Sequence, residues 1–428
     1  MLADHEGRSW TDILPEMGFE VASLNKIHHG YGMTSYEHSN AIRTFGQTMR
    51  AFTINMRESD AEAIIDHPSI ANLEKTARSE WAVMPRNPHD QPRNLPDKSA
   101  DMGFKVKRQV GGGGGSSNST EEEMWVEQSN APWHLQRVSC SKQVDLKGRL
   151  PTDLSYSYRF DQVSGQGVDV YVVDSGINVD HEEFGGRAKM MFSFFGHVKD
   201  DIGHGTHCAG TIGSLHYGTA KNVRLWGIKV GDVNGISAGA IVAGIDAAIT
   251  RHNIRKTQPD FMGSIISMSI GTSPPKSSDF MALKKALDAG MHASVAAMNA
   301  GDNACNSSPG GFSQQLPLIT VGALDLNDTR ASFSNFGKCV DVYAPGVSIV
   351  STFNNNSTGI ASLDGTSMAC PIVTGIIADE LVKNPSLRLD PAGMKKFILS
   401  KALKGVIKPA MNMTGVEILA NNGFPGDP

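Results

Sequence analysis

Val168-Asp169-Val170-Tyr171-Val172-Val173-Asp174-Ser175-Gly176 is a β-branched run that stops on a carboxylate and then turns at a glycine. A run this apolar reads as a strand buried on both faces, and its end sets Asp174 at the rim of a sheet. Runs of the same kind follow at Val223 to Val230, Ser264 to Ile270, Ala293 to Met298 and Leu318 to Ala323. Between them, Ala238 to Thr250 and Phe280 to Ala289 carry helical apolar spacing, and Thr366 to Leu381 reads as a long final helix with Pro371 inside its first turns. The alternation predicts an α/β fold: a doubly wound, mostly parallel sheet with helices on both faces. In such sheets chemistry gathers outside the carboxyl ends of the strands.

Three segments bring reactive groups to such places. Asp174 ends the first strand, His204 lies in Gly203-His204-Gly205-Thr206-His207 before the small-residue helix Cys208 to Gly213, and Ser367 follows Gly365-Thr366. Singly, each has an ordinary explanation: a turn-forming Asp, a surface or satisfied core His, a helix-capping Ser. Together they supply what acyl transfer needs. A hydroxyl is a poor nucleophile at neutral pH until an imidazole takes its proton and a carboxylate orients the imidazole. The order Asp, His, Ser is not the His, Asp, Ser order of chymotrypsin-type enzymes, and no G-x-S-x-G elbow surrounds Ser367 as in α/β-hydrolases. A tetrahedral intermediate also needs donors aimed at its oxyanion. The Ser367 amide, at a helix start, is one, and Asn299 in Val295-Ala296-Ala297-Met298-Asn299 is a candidate second, although alone it reads equally well as an Asn ending a strand.

With the Asp, His, Ser order known from subtilisin, and with Asn130-Ala131-Pro132-Trp133, Ser267-Met268-Ser269-Ile270-Gly271, Ser332-Phe333-Ser334-Asn335-Phe336-Gly337 and Asp341-Val342-Tyr343-Ala344-Pro345-Gly346 beside it, the chain resembles the subtilases of the proteinase K and cerevisin type, the fungal serine endopeptidases. The resemblance covers roughly residues 126–428. It implies a catalytic Asp174, His204 and Ser367 with Asn299 as oxyanion donor. It also implies a pocket for the residue before the scissile bond, walled by Ser269, Ile270 and Gly271 on one side and Ala296, Ala297 and Met298 on the other. Further implications are a Cys305–Cys339 disulfide, a buried thiol at Cys208, and Asp341 as candidate ligand of a structural Ca2+, with no cofactor for catalysis. The substrates would be proteins or peptides, acted on by a monomer that is secreted or vacuolar. The family usually has glycine where Met298 stands, which motivates a rival reading: an impaired homologue that binds peptides or its own propeptide without turnover.

The chain has 428 residues and a formal net charge of -5, with Lys and Arg scattered rather than clustered, so nucleic acid is not an expected partner. No apolar run approaches the roughly 18 residues a membrane span needs. The opening Met1-Leu2-Ala3-Asp4-His5-Glu6 shows no signal-peptide pattern. Gly111 to Gly115 and the Ser/Asn/Thr residues after them mark a linker, extended back to residue 81 by a Pro-, Asn- and Asp-rich stretch without sustained periodicity. The expected domains are therefore 1–80, a linker at 81–125, and 126–428 as the catalytic domain. Within the first, Thr48 to Met56 and Ser69 to Leu73 read as strands and Ser59 to His67 as a short helix. Phe45 to Phe52 and His67 to Glu74 resemble a subtilisin propeptide, a small α+β unit that would assist folding, inhibit the enzyme intramolecularly, and be cut away in a self-processing zymogen. The same resemblance places that cut near Met124 to Val126.

Overall fold

The computed structural model describes residues 123–408 and 417–424 continuously, together with short segments at 24–26, 42–45, 51–53, 61–62, 64, 70, 73–74, 78–81 and 104–109. Its centre is a nine-stranded sheet in the order Leu403–Lys404, Ile418–Leu419, Val342–Pro345, Ile319–Leu324, His292–Ala296, Gly263–Met268, Val168–Asp174, Arg224–Lys229, Ala188–Ser193. Every neighbouring pair is parallel except the first. The chain runs from Val168–Asp174 outward through Ala188–Ser193 and Arg224–Lys229, then crosses to Gly263–Met268 on the other side. The strand order therefore reverses at Val168–Asp174, which opens a crevice at its carboxyl end.

All seven residues of Val168–Asp174 are buried. Alternation along the strand sends Val168, Val170 and Val172 into one core and Tyr171 and Val173 into another. The first core contains the helices His204–Gly213 and Thr366–Lys383, and the second contains the buried faces of Ala238–Arg255 and Ser277–Asp288. The Thr366–Lys383 helix is buried without interruption from Thr366 to Leu381, as its lack of a polar face in the sequence requires.

Predicted elements recur with their ends moved by a few residues. Ala238 to Thr250 becomes Ala238–Arg255, and Ser264 to Ile270 divides into Gly263–Met268 and Ile270–Gly271. In the small N-terminal unit, Leu24–Lys26, Ile42–Phe45 and Ala51–Thr53 form a three-stranded sheet, the last falling inside the strand expected over Thr48 to Met56. The helix expected over Ser59 to His67 is described only at residues 61, 62 and 64, which are helical; the rest lies outside the described residues. Of Ser69 to Leu73, residue 70 forms an isolated bridge and 69, 71 and 72 lie outside the described residues.

The stretch read as linker differs from its expectation. Phe104–Gln109 is a strand, paired antiparallel along its whole length with Glu123–Ala131, which pairs in turn with Tyr156–Asp161. Phe104-Lys105-Val106-Lys107 does alternate with period two, but over too few residues to stand out against its polar surroundings.

Candidate active site

Asp174 and His204 meet because two backbones approach very closely. A Cβ built on Gly205 would lie 2.1 Å from the Gly176 carbonyl oxygen, so only glycine lets the helix start press against the turn after Asp174. Across this contact His204 Nδ1 lies 2.7 Å from Asp174 Oδ1, and both side chains are almost wholly buried. The same carboxylate oxygen accepts the Ser175 amide at 2.8 Å. The carboxylate thereby accepts the Nδ1–H, which keeps that proton on the ring and leaves Nε2, which has no hydrogen-bond partner, as the unprotonated nitrogen.

Asp200, which the sequence reading passed over, holds this corner together. Its carboxylate accepts the Ser175 hydroxyl at 2.8 Å, the Gly203 amide at 2.8 Å, the Ile202 amide at 3.1 Å, and both the amide and hydroxyl of Thr206 at 3.0 and 2.6 Å. Its signal was an Asp three residues before Gly203 and the helix it caps. Lys229 lies opposite Asp174 in the parallel register, fully buried, and donates to the Ser175 carbonyl at 2.8 Å and to Asp201 at 2.7 Å. His207, the second histidine of the motif, is structural. Burial pushes its pKa down to about 3, and its Nε2 lies 3.0 Å from the Ile349 carbonyl oxygen and 3.2 Å from that of Ala361.

Ser367 is the second residue of the Thr366–Lys383 helix, where amides have no acceptor within the helix. Pro371, four residues on, has no N–H for the Ser367 carbonyl. That carbonyl instead accepts the Ser269 hydroxyl at 2.9 Å and the Cys208 thiol at 3.5 Å. The Ser367 hydroxyl donates to the Ser269 carbonyl at 2.7 Å. Cys208 also lies 4.0 Å from His204 Nδ1. Burial, reinforced by the Asp174 charge, pushes its pKa far up and keeps it a thiol.

Asn299 is oriented by a residue the sequence reading left unassigned. Its Oδ1 accepts the Thr366 amide at 3.0 Å and the Thr366 hydroxyl at 2.9 Å, which turns Nδ2 the other way. Nδ2 is buried and has no partner. A buried donor without an acceptor carries an unmet desolvation cost, which an oxyanion beside Ser367 would relieve.

The two candidate pocket walls meet at Gly271 and Met298. Ala296 and Ala297 are fully buried, with Ala297 hydrogen-bonded to the Val321 carbonyl. Met298 adopts φ 77°, a conformation that favours glycine and costs a side-chain-bearing residue roughly 1 kcal/mol or more. It is held there by its amide on Thr366 Oγ1 at 3.1 Å and by its carbonyl accepting the Asn335 amide at 2.9 Å. Its thioether spans to the other wall: a Cβ on Gly271 would come within 2.7 Å of Met298 Sδ.

Cys305 and Cys339 are joined as a disulfide with their Cα atoms 5.3 Å apart. Asp341 does not offer the donor set expected of a calcium ligand. Its Oδ1 pairs with the Lys395 ammonium at 2.9 Å, its Oδ2 accepts the Thr320 amide at 2.8 Å, and Lys395 also donates to the Ser313 carbonyl at 2.8 Å. A lysine thus stands where the cation was expected, compensating a carboxyl that burial pushes above its usual range. Lys395→Ala leaves this carboxylate unpaired and is expected to destabilise the fold by about 3 kcal/mol, read as a lowered urea midpoint. An unchanged midpoint would show the pair to be dispensable.

A strand of the chain itself lies in the crevice. Arg78–Trp81 runs antiparallel between Gly235–Ser237 and Ile270–Gly271, and the Trp81 ring centroid is 5.2 Å from that of His204. Ile270 and Gly271, expected as part of one pocket wall, are thus paired with residues 81 and 80.

The family model described as the subtilase family matches residues 165–423. Subtilisin-like protease 3 of Saccharomyces cerevisiae is 38% identical over 69% of this chain and 62% of its own length, so the chain spans under two thirds of that relative. Subtilisin-like serine protease Rho m 2.0101 of Rhodotorula mucilaginosa is 38% identical over 68% of this chain and 86% of its own. Among solved structures, a cold adapted subtilisin-like serine proteinase aligns with 69% of this chain and 99% of its own at a TM-score of 0.58 and 33% identity.

Proposed function

Because this chain belongs to the subtilase family, we propose that it is a serine endopeptidase that cleaves proteins through an acyl-enzyme on Ser367 and is made as a self-processing zymogen. The observation that carries this reading is the pair of buried, unpartnered nitrogens, His204 Nε2 and Asn299 Nδ2, beside the Ser367 helix start. One nitrogen can take a proton and the other can hold an anion. On attack, His204 receives the Ser367 proton as general base, and Asp174 stabilises the imidazolium. The tetrahedral oxygen is held by the Ser367 amide and Asn299 Nδ2. His204 then protonates the leaving amine, and water reverses the sequence to release the acyl group. None of these steps calls for a cofactor.

The N-terminal unit is read as the propeptide, acting as intramolecular inhibitor through the strand Arg78–Trp81. The Cys305–Cys339 bridge supports an oxidising destination, secreted or vacuolar; among the described residues no helix is long and apolar enough to cross a membrane. The test is labelling by a fluorophosphonate probe. One equivalent is expected on Ser367 of the processed chain and none on Ser367→Ala, and a folded chain that stays intact and unlabelled would favour a peptide-binding role.

Met298 makes a prediction about specificity. With its thioether against Gly271, the pocket suits a small side chain before the scissile bond. Met298→Gly removes that bulk and suits the φ of 77°. Its kcat/KM for peptides with Phe before the scissile bond is expected to rise about 10-fold or more relative to Ala peptides, and an unchanged ratio would place the pocket elsewhere.

A further inference from the structure

We propose that Asn356 is the acceptor of an N-linked glycan, and that this glycan shields the loop bracing the His204 corner from cleavage by other copies of the chain. The inference rests on the oxidising destination and the endopeptidase activity proposed above.

The sequence carries two overlapping Asn-x-Ser/Thr motifs in Asn355-Asn356-Ser357-Thr358, and further ones at Asn118, Asn306, Asn327 and Asn412. Asn118 and Asn412 lie outside the described residues. The motif sets an amide two residues before a hydroxyl, and among the described motifs these groups are bonded to each other at Asn356. Its Oδ1 accepts the Thr358 amide at 2.8 Å and the Thr358 hydroxyl at 3.0 Å, the turn an Asn side chain makes with its own backbone two residues on. Both bonds fall on the oxygen. Nδ2 has no partner among the described residues and belongs to an exposed residue, so a sugar can be attached there with both bonds kept.

The other motifs are arranged differently. Asn355 Oδ1 folds over Gly359, where a built Cβ would overlap it, and the Ser357 hydroxyl turns to Glu182. Asn306 Nδ2 already donates to Asp302 at 3.2 Å, and the buried Ser308 hydroxyl donates to Asp279 at 2.8 Å. At Asn327 the Thr329 amide is taken by Asp325 Oδ1 at 3.0 Å, so the turn closes on that carboxylate instead.

The loop bearing Asn356 joins the paired strands Ile349–Thr352 and Ile360–Leu363. On one flank the Phe353 ring packs so closely on Gly203, the residue before His204, that a Cβ there would overlap it, and Asn354 Nδ2 donates to the Asp200 carbonyl at 2.9 Å. On the other, the Glu182 amide donates to the Ser357 carbonyl at 2.8 Å and Asn178 Nδ2 to the Asn356 carbonyl at 3.0 Å. Between these anchors residues 355–357 are exposed. An exposed tip of small polar residues is where proteolytic nicking concentrates. A cut there would part the two flanks and loosen the corner that presents His204. A protease takes its substrate as an added extended strand, and a glycan in the middle of the tip is too bulky to enter such a cleft.

The donor is an oligosaccharide carried on a lipid pyrophosphate. Asn356 Nδ2 bonds to its anomeric carbon, the anomeric C–O bond breaks, the lipid pyrophosphate leaves with the electron pair, and one Nδ2 proton passes to a base of the transferase.

The full-length chain and its Thr358→Ala and Thr358→Ser variants are secreted from yeast behind a heterologous leader. One aliquot of each is treated with fluorophosphonate, and another is mapped by peptide mass after enzymatic glycan release in 18O-water, which marks the former attachment site. The mark is expected on residue 356 in the parent and in Thr358→Ser and should be missing there in Thr358→Ala. An internal cut within residues 353–359 should accumulate at least about 5-fold faster in Thr358→Ala. Parent stripped of its glycan should be cut at the Thr358→Ala rate, which assigns the protection to the glycan rather than to Thr358. An unmodified Asn356 in a disulfide-bonded, probe-labelled protein, or equal cutting with and without the glycan, overturns the inference and leaves the endopeptidase reading in place. A glycosylated, disulfide-bonded chain that takes up no probe overturns the endopeptidase reading and the shielding with it.

Discussion

Replacing Ser367 by alanine is expected to leave a folded chain with turnover reduced on the order of 10⁶-fold, the magnitude established for the nucleophile of subtilisin, a member of this family. The size follows from what is lost. In the proposed mechanism Oγ is the atom that forms the acyl bond, and the neighbouring Ser269 hydroxyl is committed to the Ser367 carbonyl. The stability change should be small, since the side chain is fully buried and gives up one hydrogen bond, to the Ser269 carbonyl, worth about 1 kcal/mol net. The check is hydrolysis of a peptide with alanine before the scissile bond, with urea unfolding of the same sample. Residual turnover above about one part in 10³ of the parent would require another nucleophile.

The second large effect is at Asn299. Asn299→Ala should lower kcat by about 10²- to 10³-fold and leave KM nearly unchanged, the range being that seen for the matching donor of subtilisin. The anchoring of Asn299 gives this experiment a needed control. Its Oδ1 bonds to Thr366 help to fix the start of the helix that carries Ser367, so alanine removes an anchor as well as a donor. Asn299→Asp keeps an acceptor for both Thr366 bonds and replaces the Nδ2 donor with an anionic oxygen. A loss in kcat as large as that of Asn299→Ala assigns the effect to the oxyanion, whereas near-parent activity in Asn299→Asp would reassign Asn299 to positioning. A loss expressed in KM for either variant would remove the oxyanion role.

What was legible in the sequence was what a single segment can encode. The β-branched run into Asp174, the glycines around His204 and the small residues before Ser367 carry their local conformations and their chemistry together, so the strand, the two helices and the fold class could be read from them. Pairings between distant segments left weaker traces. Nothing local to Trp81 indicates that its ring lies against an imidazole more than a hundred positions away, and Lys395 looks like any helix-surface lysine until Asp341 and the Ser313 carbonyl converge on it. Phe104–Gln109 was obscured because a six-residue edge strand among polar and glycine-rich neighbours resembles a linker. Asp200 could have been found from its capping distance to Gly203, but its bond to Ser175 depends on how the strand end and the helix start are brought together.

Pro371 has a mechanical consequence. An ordinary helix locks each early carbonyl to its own next turn, so its first residues move with the rod. Here the carbonyl of Ser367 is released from the rod and pinned from two other directions, by the loop that carries Ser269 and by the helix that carries His204. Three segments thus share one hinge pin, and Cys208 joins the helix of His204 to the Ser367 backbone without passing along the sheet. A shift of any one of the three would strain its bonds to the others at this joint.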